Sequence, residues 1–189
     1  MRTVAILALP LLLLTAPAAP ARTLAGVSIP ETVTLAGERQ PLALNGAGVR
    51  SKYMFKIYVG ALYTTQPVTQ PERVLDASTP RVMRMQFLRE LRADQLATGW
   101  KDGFAANQSG EAMKALAARL AQFNQLMRDV KMNDVLQINL RPNGDTEVLL
   151  NDRLRGTVPG ADFQRALLEV WLGRSPADKD LKAALLTGR

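Results

Sequence analysis

Residues Leu44 to Tyr63 read LNGAGVRSKYMFKIYVGALY, and this stretch decides how the rest of the chain is interpreted. The glycines of Gly46-Ala47-Gly48 permit backbone angles and close approaches that other residues do not allow, and we predict a turn there. The run from Tyr53 to Val59 is rich in β-forming residues and is interpreted as a strand. Arg50 lies between the two. It is either an ordinary exposed arginine at a hairpin end or one held so that it faces an anion.

The first 21 residues have the three parts of a secretory signal peptide. Arg2 supplies a positive charge, Val4 to Leu14 form a short apolar run interrupted by Pro10, and Ala19-Pro20-Ala21 is a small-residue cleavage site. A membrane-spanning helix needs about 20 apolar residues, which this run does not reach. We therefore predict cleavage after Ala21. The remaining residues, 22–189, are predicted to form a single periplasmic or secreted domain with a hydrophobic core.

The chain has no cysteine and no histidine, and this excludes several classes of protein. An exported protein without cysteine is held together by its core rather than by disulfides. Without histidine there is no Ser-His-Asp site, no histidine-ligated zinc and no histidine-ligated haem. No nucleotide-binding glycine motif or calcium loop is present, so no metal and no cofactor is predicted.

The net charge of +7 comes from basic residues that are scattered along the chain. They form no dense run, so nucleic-acid binding is not predicted. A basic balance of this kind can favour anionic partners or membrane surfaces, but by itself it does not define a function. The sequence contains no second long apolar segment, so no membrane span is predicted.

Hydrophobic patterns divide the chain into two groups of strands, with helices between and after them. Strands are predicted at 31–35, 42–44, 50–64, 81–88, 135–140, 146–150 and 154–158, and helices at 71–75, 93–106, 109–130, 161–172 and 176–186. Leu116, Leu120, Phe123, Met127 and Val130 form an apolar stripe, interpreted as core packing rather than a lipid or cofactor groove. Hairpin-linked strands with grouped helices predict an α+β fold, an antiparallel sheet covered by helices on one side.

The order of several short motifs resembles the chalcone isomerase-like superfamily, in particular its secreted bacterial members. The motifs are NGAGVR at 45–50, YVGALY at 58–63, GWKDGF at 99–104, the hairpin at 141–157, and DFQRALL with WLG between 162 and 173. The resemblance implies an open-faced β-sandwich in which a layer of helices backs an antiparallel sheet, with a ligand cleft between them. The superfamily includes plant chalcone isomerases, relatives that hold a fatty-acid carboxylate on the arginine, and relatives without an assigned activity.

The resemblance also implies where the isomerase site residues fall in this chain. The arginine and the asparagine of the isomerase site are retained here as Arg50 and Asn107. The other three site residues of the isomerase differ: its threonine is replaced by Tyr58, its tyrosine by Trp100 and its second hydroxyl residue by Val170. An isomerase must stabilise an enolate oxygen with positioned donors. Valine offers none, and an indole offers only one N–H. No catalytic residue is therefore predicted. Asn107 has a competing role as a helix cap.

Arg50, Tyr58, Trp100 and Asn107 are the predicted ligand-binding residues. A guanidinium can make two parallel hydrogen bonds to a carboxylate, and the tyrosine hydroxyl can add a third. Apolar walls would hold the rest of the ligand, although core packing is the competing role for each wall residue. The predicted wall residues are Trp100, Phe104, Met83, Met85 and Phe87.

The leading hypothesis is a periplasmic, non-catalytic binding protein for a small amphipathic carboxylate, fatty-acid-like or aromatic, anchored by Arg50. Two alternatives remain open. One is an isomerase or lyase that acts on an unsaturated carbonyl compound of chalcone type, with Arg50 as the electrophilic anchor. The other is an interaction module whose pocket is filled by its own side chains. The sequence defines neither the ligand nor the oligomeric state.

Overall fold

A seven-stranded antiparallel sheet forms the centre of the computed structural model, which describes residues 21–76 and 78–188. Each strand of this sheet pairs with its neighbour along the chain. The strands are β3 (Thr32–Val33), β4 (Leu42–Lys52), β5 (Phe55–Thr64), β6 (Arg81–Phe87), β7 (Val135–Leu140), β8 (Thr146–Leu150) and β9 (Arg153–Val158). Two further strands, β1 (Ala21–Leu24) and β2 (Val27–Pro30), form a separate hairpin. The predicted signal peptide, apart from Ala21, lies outside the described residues.

Five helices complete the fold, and all five contribute buried residues to the core on one face of the sheet. They are α1 (Pro71–Leu75), α2 (Ala93–Asn107), α3 (Gly110–Gln125), α4 (Ala161–Leu172) and α5 (Lys179–Leu185). The larger core lies between the sheet and the helices, and the predicted apolar stripe from Leu116 to Val130 is buried in it. The β1–β2 hairpin covers part of the opposite face, where the Tyr63 hydroxyl donates a hydrogen bond to the Pro30 carbonyl at 2.9 Å. The predicted α+β plan is confirmed.

The predicted turn at Gly46-Ala47-Gly48 is wrong, because β4 runs through it without interruption. The hairpin turn instead lies at Tyr53 and Met54, within the stretch predicted to be a strand. The glycines allow α5 to lie directly on β4. A Cβ atom on Gly46 would be 2.2 Å from the carbonyl oxygen of Ala184, and one on Gly48 would be 2.7 Å from the Ala184 Cβ.

Two helices are shorter than predicted, because capping and tertiary contacts end α3 early and start α5 late. Helix α3 stops at Gln125, five residues before the predicted end at Val130, and Val130 then exchanges two backbone hydrogen bonds with Leu91. Helix α5 begins only after Asp178, whose side chain accepts a hydrogen bond from the backbone N–H of Leu181 at 2.9 Å. The short strands β1 and β2 were not predicted. No helix among residues 21–76 and 78–188 has the length and apolar character to cross a membrane.

Substitution Gly46→Ala tests whether α5 is seated on β4 in this way. The new methyl group would collide with backbone atoms that cannot rotate away, so we expect the free energy of unfolding to fall by about 2–3 kcal/mol. Gly99→Ala is the matched control, because nothing lies within 4 Å of its added Cβ and alanine favours a helix over glycine by about 1 kcal/mol. Urea unfolding measures both. A Gly46→Ala protein as stable as the wild type would contradict the packing.

Candidate functional site: a cleft beside Arg50

A cleft of about 320 Å³ opens between the helix-covered face of the sheet and the first part of α2. Its floor is apolar and buried, and its rim is polar and exposed. The floor residues are Ile57, Tyr58, Met85, Phe87, Leu96, Trp100 and Val170. The exposed rim residues are Lys52, Asp94, Gln95, Thr98 and Asp102. Such a composition is typical of pockets for small ligands, which are mostly apolar with a few convergent polar groups.

Arg50 enters this cleft from β4, two residues before the end of the strand. It lies opposite Tyr58 on β5, and its guanidinium carbon is 5.6 Å from the centre of the Tyr58 ring. The Nε atom of Arg50 is buried and has no hydrogen-bond partner. None of the ion pairs in the described part of the chain includes Arg50. A buried donor without a partner is unfavourable, so Arg50 is prepared for an acceptor that enters the cleft.

Tyr58 is buried beneath the cleft and is fixed by Trp171. The indole N–H of Trp171 donates a hydrogen bond of 2.8 Å to the Tyr58 hydroxyl oxygen. Burial raises the pKa of Tyr58 above 10.0, and the positive charge of Arg50 and the hydrogen bond from Trp171 oppose this increase only in part. The phenol therefore stays protonated at neutral pH. Because its oxygen already accepts a hydrogen bond, its proton is available for donation to a ligand.

Trp100 and Val170 contribute shape rather than polar groups to the floor. The Trp100 indole nitrogen points to the sulfur of Met127 at 3.3 Å, so it does not serve the cleft as a donor. Val170 packs closely against α2, since a Cβ atom added to Gly103 would be 2.7 Å from a Val170 methyl carbon. Neither residue therefore provides a donor for a developing oxyanion.

Asn107 lies outside the cleft, at the other end of α2. Its side-chain nitrogen donates to the carbonyls of Gly103 at 3.0 Å and Ser175 at 2.9 Å, and its oxygen accepts from the backbone N–H of Ser175 at 2.9 Å. The amide thus joins the end of the helix to the loop after α4. It borders a second cavity, which contains the charged residues Glu72, Arg165, Glu169, Arg174 and Lys182. The structure brings Arg50, Tyr58 and Trp100 together and leaves Asn107 apart.

Three of the five predicted wall residues, Trp100, Met85 and Phe87, line the cleft, whereas Phe104 and Met83 do not. Trp171 is the most important residue that the sequence interpretation missed. In the sequence it is only part of a motif, and nothing local shows that its N–H meets Tyr58. Leu91 and Ala177 also line the cleft, each from a loop whose position depends on distant parts of the chain. Among residues 21–76 and 78–188, no three acidic side chains are placed to hold a metal ion.

The architecture defines the class of protein: an open-faced sandwich with a ligand-sized cleft between its sheet and its helices. The chain belongs to the chalcone isomerase-like family, whose model matches residues 21–187. The predicted resemblance is confirmed. A fatty-acid binding protein from Arabidopsis thaliana has a similar crystal structure, with a TM-score of 0.64 and 15% sequence identity over 86% of this chain and 92% of that chain. This likeness confirms the predicted fold. No curated protein sequence matches the chain.

Removal of the Arg50 charge tests the electrostatics of the cleft. The positive charge lowers the pKa of Tyr58, so Arg50→Gln should raise that pKa further, moving phenolate formation to higher pH. Arg84→Gln is the matched control and should leave the pKa of Tyr58 unchanged. The charge of Arg84 acts instead on Tyr63, whose pKa is raised to about 12 mainly by burial. NMR titration of ¹³Cζ-labelled tyrosine reports each residue separately. If Arg50→Gln left the Tyr58 titration unchanged, the Arg50 charge would not act on this hydroxyl.

Proposed function

We propose that this protein is a periplasmic, non-catalytic binding protein for a small amphipathic carboxylate, fatty-acid-like or aromatic. The observation that carries the proposal is the Nε atom of Arg50, buried beside the cleft and without a partner. A carboxylate would accept hydrogen bonds from the guanidinium, and charge-assisted bonds of this kind are about twice as strong as neutral ones. The Tyr58 hydroxyl, held by Trp171, supplies a second donor.

The size and lining of the cleft support a small ligand with an apolar tail. Ligand pockets commonly enclose about 300–1,000 Å³, and the cleft, at about 320 Å³, is at the lower end of that range. Phe87, Leu96 and Trp100 offer apolar surface to an acyl chain or an aromatic ring. A ligand with its carboxylate on Arg50 would direct its tail along this surface.

Three further findings favour binding over isomerisation. Arg50 and Tyr58 are the donors at the floor, since Val170 has none and the N–H of Trp100 points to Met127. The raised pKa of Tyr58 also makes it a donor at neutral pH rather than a base. The similar structure is that of a protein described as binding fatty acids, which supports the same general function here, although a likeness at 15% identity extends only to the fold.

Substitution Arg50→Gln should weaken carboxylate binding selectively. We expect decanoate and cinnamate to bind the wild-type protein, and their dissociation constants to increase by about 10–100-fold in the variant, because a hydrogen bond to a charged group contributes about 1.5–3 kcal/mol. The methyl esters of these acids should lose much less affinity in the same variant. Arg84→Gln, on the other face of the sheet, should change the affinity of neither the acids nor the esters. Isothermal titration calorimetry provides the dissociation constants.

Other outcomes of the binding experiment would contradict this proposal. Equal affinity of the wild type and Arg50→Gln for both acids would exclude Arg50 as the anchor. Turnover of a chalcone-type enone by the wild type would favour the isomerase alternative. A cleft that binds none of these compounds, and that native mass spectrometry finds empty in protein from the periplasm, would favour the interaction module.

The periplasmic location has its own test. The family match begins at residue 21, directly at the predicted cleavage site, which supports removal of the preceding segment. In a Gram-negative host we expect the protein in the periplasmic fraction with Arg22 as its first residue, as N-terminal sequencing would show. Ala19→Leu should retain the precursor, because the cleavage site requires a small residue there, whereas Ala18→Leu should be processed normally. Unprocessed wild-type protein in the cytoplasm would contradict export.

A further inference from the structure

The turn between β4 and β5 carries three exposed large apolar side chains in succession, and two of them are the most exposed among the described residues. This β4–β5 tip consists of residues 52–56, and Tyr53, Met54 and Phe55 are 91%, 95% and 57% exposed. Single exposed apolar residues need no explanation, but three in succession at a protruding turn mark an interaction surface. Lys52 also belongs to the rim of the cleft, so the tip stands beside the cleft entrance.

Apolar exposure is concentrated at one end of the sheet. Because the strands alternate in direction, the β4–β5 tip, the residues before β7 and the β8–β9 turn all lie at the same end. The other two exposed large hydrophobic residues in the described part of the chain are Met132, just before β7, and Leu154, just after that turn. All five therefore share one end, and the β4–β5 tip is its most exposed part.

Positive charge surrounds the tip. Lys52 and Lys56 flank the three apolar residues, and the guanidinium carbon of Arg89 lies 4.7 Å from the centre of the Phe55 ring. Acidic residues also lie at this end of the sheet: Glu90 follows Arg89, Asp134 precedes β7, and Asp152 lies in the β8–β9 turn. Asp178, near the end of β4, already accepts hydrogen bonds from backbone N–H groups. Cations around exposed aromatic groups are the arrangement found at membrane interfaces, where aromatic rings enter the headgroup region and lysines reach the phosphates.

Folding does not explain the identity of the turn residues. Tyr53 has φ of +56°, a conformation for which two-residue hairpin turns favour Asn or Gly. Tyrosine is disfavoured there, and its side chain gains almost no burial in return. Because φ is positive at Tyr53 but not at Met54, the turn has the pattern of type II′, which favours glycine at its first position. Glycine followed by asparagine would suit this backbone better, so the residues present serve something other than the stability of the hairpin.

We propose that the β4–β5 tip docks on an anionic phospholipid bilayer, with Tyr53 and Met54 in the interfacial layer and Lys56 and Arg89 on lipid phosphates. A protein partner fits this surface less well. A stable interface buries about 800 Å² on each partner, whereas a convex tip of three side chains supplies less than that. The proposal stands apart from the proposed ligand, although docking would bring the cleft entrance to the membrane surface.

Replacement of the tip by the favoured turn separates docking from folding. The double variant Tyr53→Gly/Met54→Asn should fold at least as stably as the wild type, yet its partition onto vesicles with one-quarter phosphatidylglycerol should fall by about tenfold or more. Vesicle co-sedimentation measures the partition, and urea unfolding verifies the fold. The wild-type and variant proteins must begin at the same residue, which mass spectrometry of each protein verifies. An unchanged partition of this variant would overturn the proposal.

The charge of the tip is tested by a pair of variants that remove equal charge. Lys56→Gln/Arg89→Gln should weaken partition by about fivefold for each charge at low salt. The control, Arg39→Gln/Lys114→Gln, removes two exposed charges away from this end and should change it by less than about twofold. Binding should decrease at high salt and on vesicles of phosphatidylcholine alone. Equal losses in the two double variants would show that only net charge matters, which contradicts a specific tip.

Insertion is measured directly with Tyr53→Trp. The native tryptophans, Trp100 and Trp171, are both buried, so the new indole dominates quenching by brominated lipids. Strong quenching is expected with anionic vesicles. The proposal would be overturned if the wild-type protein did not bind these vesicles, or if the bound Tyr53→Trp protein showed no quenching. Either result would favour a protein partner for the tip.

Discussion

The hydrogen bond from Trp171 to Tyr58 is the interaction on which the cleft depends, because it joins the sheet to α4 where water has no access. Both groups are polar and buried, and either one left unpaired would cost about 1–3 kcal/mol. Trp171 in turn meets the Trp100 ring edge to face at 5.4 Å, and Trp100 meets Phe123 in the same way at 5.4 Å. One strand and three helices thus come together around one polar contact, which fixes the position of the tyrosine opposite Arg50.

The second constraint comes from the C-terminal part of the chain, which fixes β4 from the helix-covered side. Helix α5 lies on the glycines of β4, and the Asn45 side chain donates to the carbonyl of Leu185 at 2.7 Å. At the other end of the helix, the Asp178 carboxylate accepts from the backbone N–H of Ser51 at 2.9 Å. Ser51 follows Arg50 directly, so the last helix determines where the strand ends and where the arginine enters the cleft. Ala177 then forms part of the cleft wall.

Local patterns predicted much of this fold, whereas contacts between distant segments decided the rest. The strands at 135–140 and 146–150 and the helix at 161–172 agree with the structure at both ends, because alternation, a Pro-Asn-Gly-Asp turn and Gly173 mark them locally. The glycines of β4 were misinterpreted because glycine serves both turns and close packing, and the packing partner lies more than 130 residues away. The placement of Arg50 and Tyr58 followed from the family resemblance. The contact of Asn107 with Gly103 at the end of α2 agrees with the helix-cap role that the sequence offered as the alternative to ligand binding. The indole that holds Tyr58 and the contacts of Asn107 with Ser175 could not be predicted, since neither has a local signature.

The charge and the apolar surface of the cleft together bear on which anion would be bound. At the rim, the Asp94 carboxylate accepts two hydrogen bonds from Arg92, the shorter of them 2.8 Å, and Lys52 and Asp102 are exposed beside it. The attraction of an anion to Arg50 and Lys52 grows with the charge of that anion, just as its repulsion by Asp102 does, so these charges alone do not select one class of anion. The apolar floor makes the difference, because inorganic phosphate has no tail with which to cover it. An arginine beside an apolar floor therefore suits an anion joined to an apolar group, which is the chemistry of the amphipathic acid proposed above.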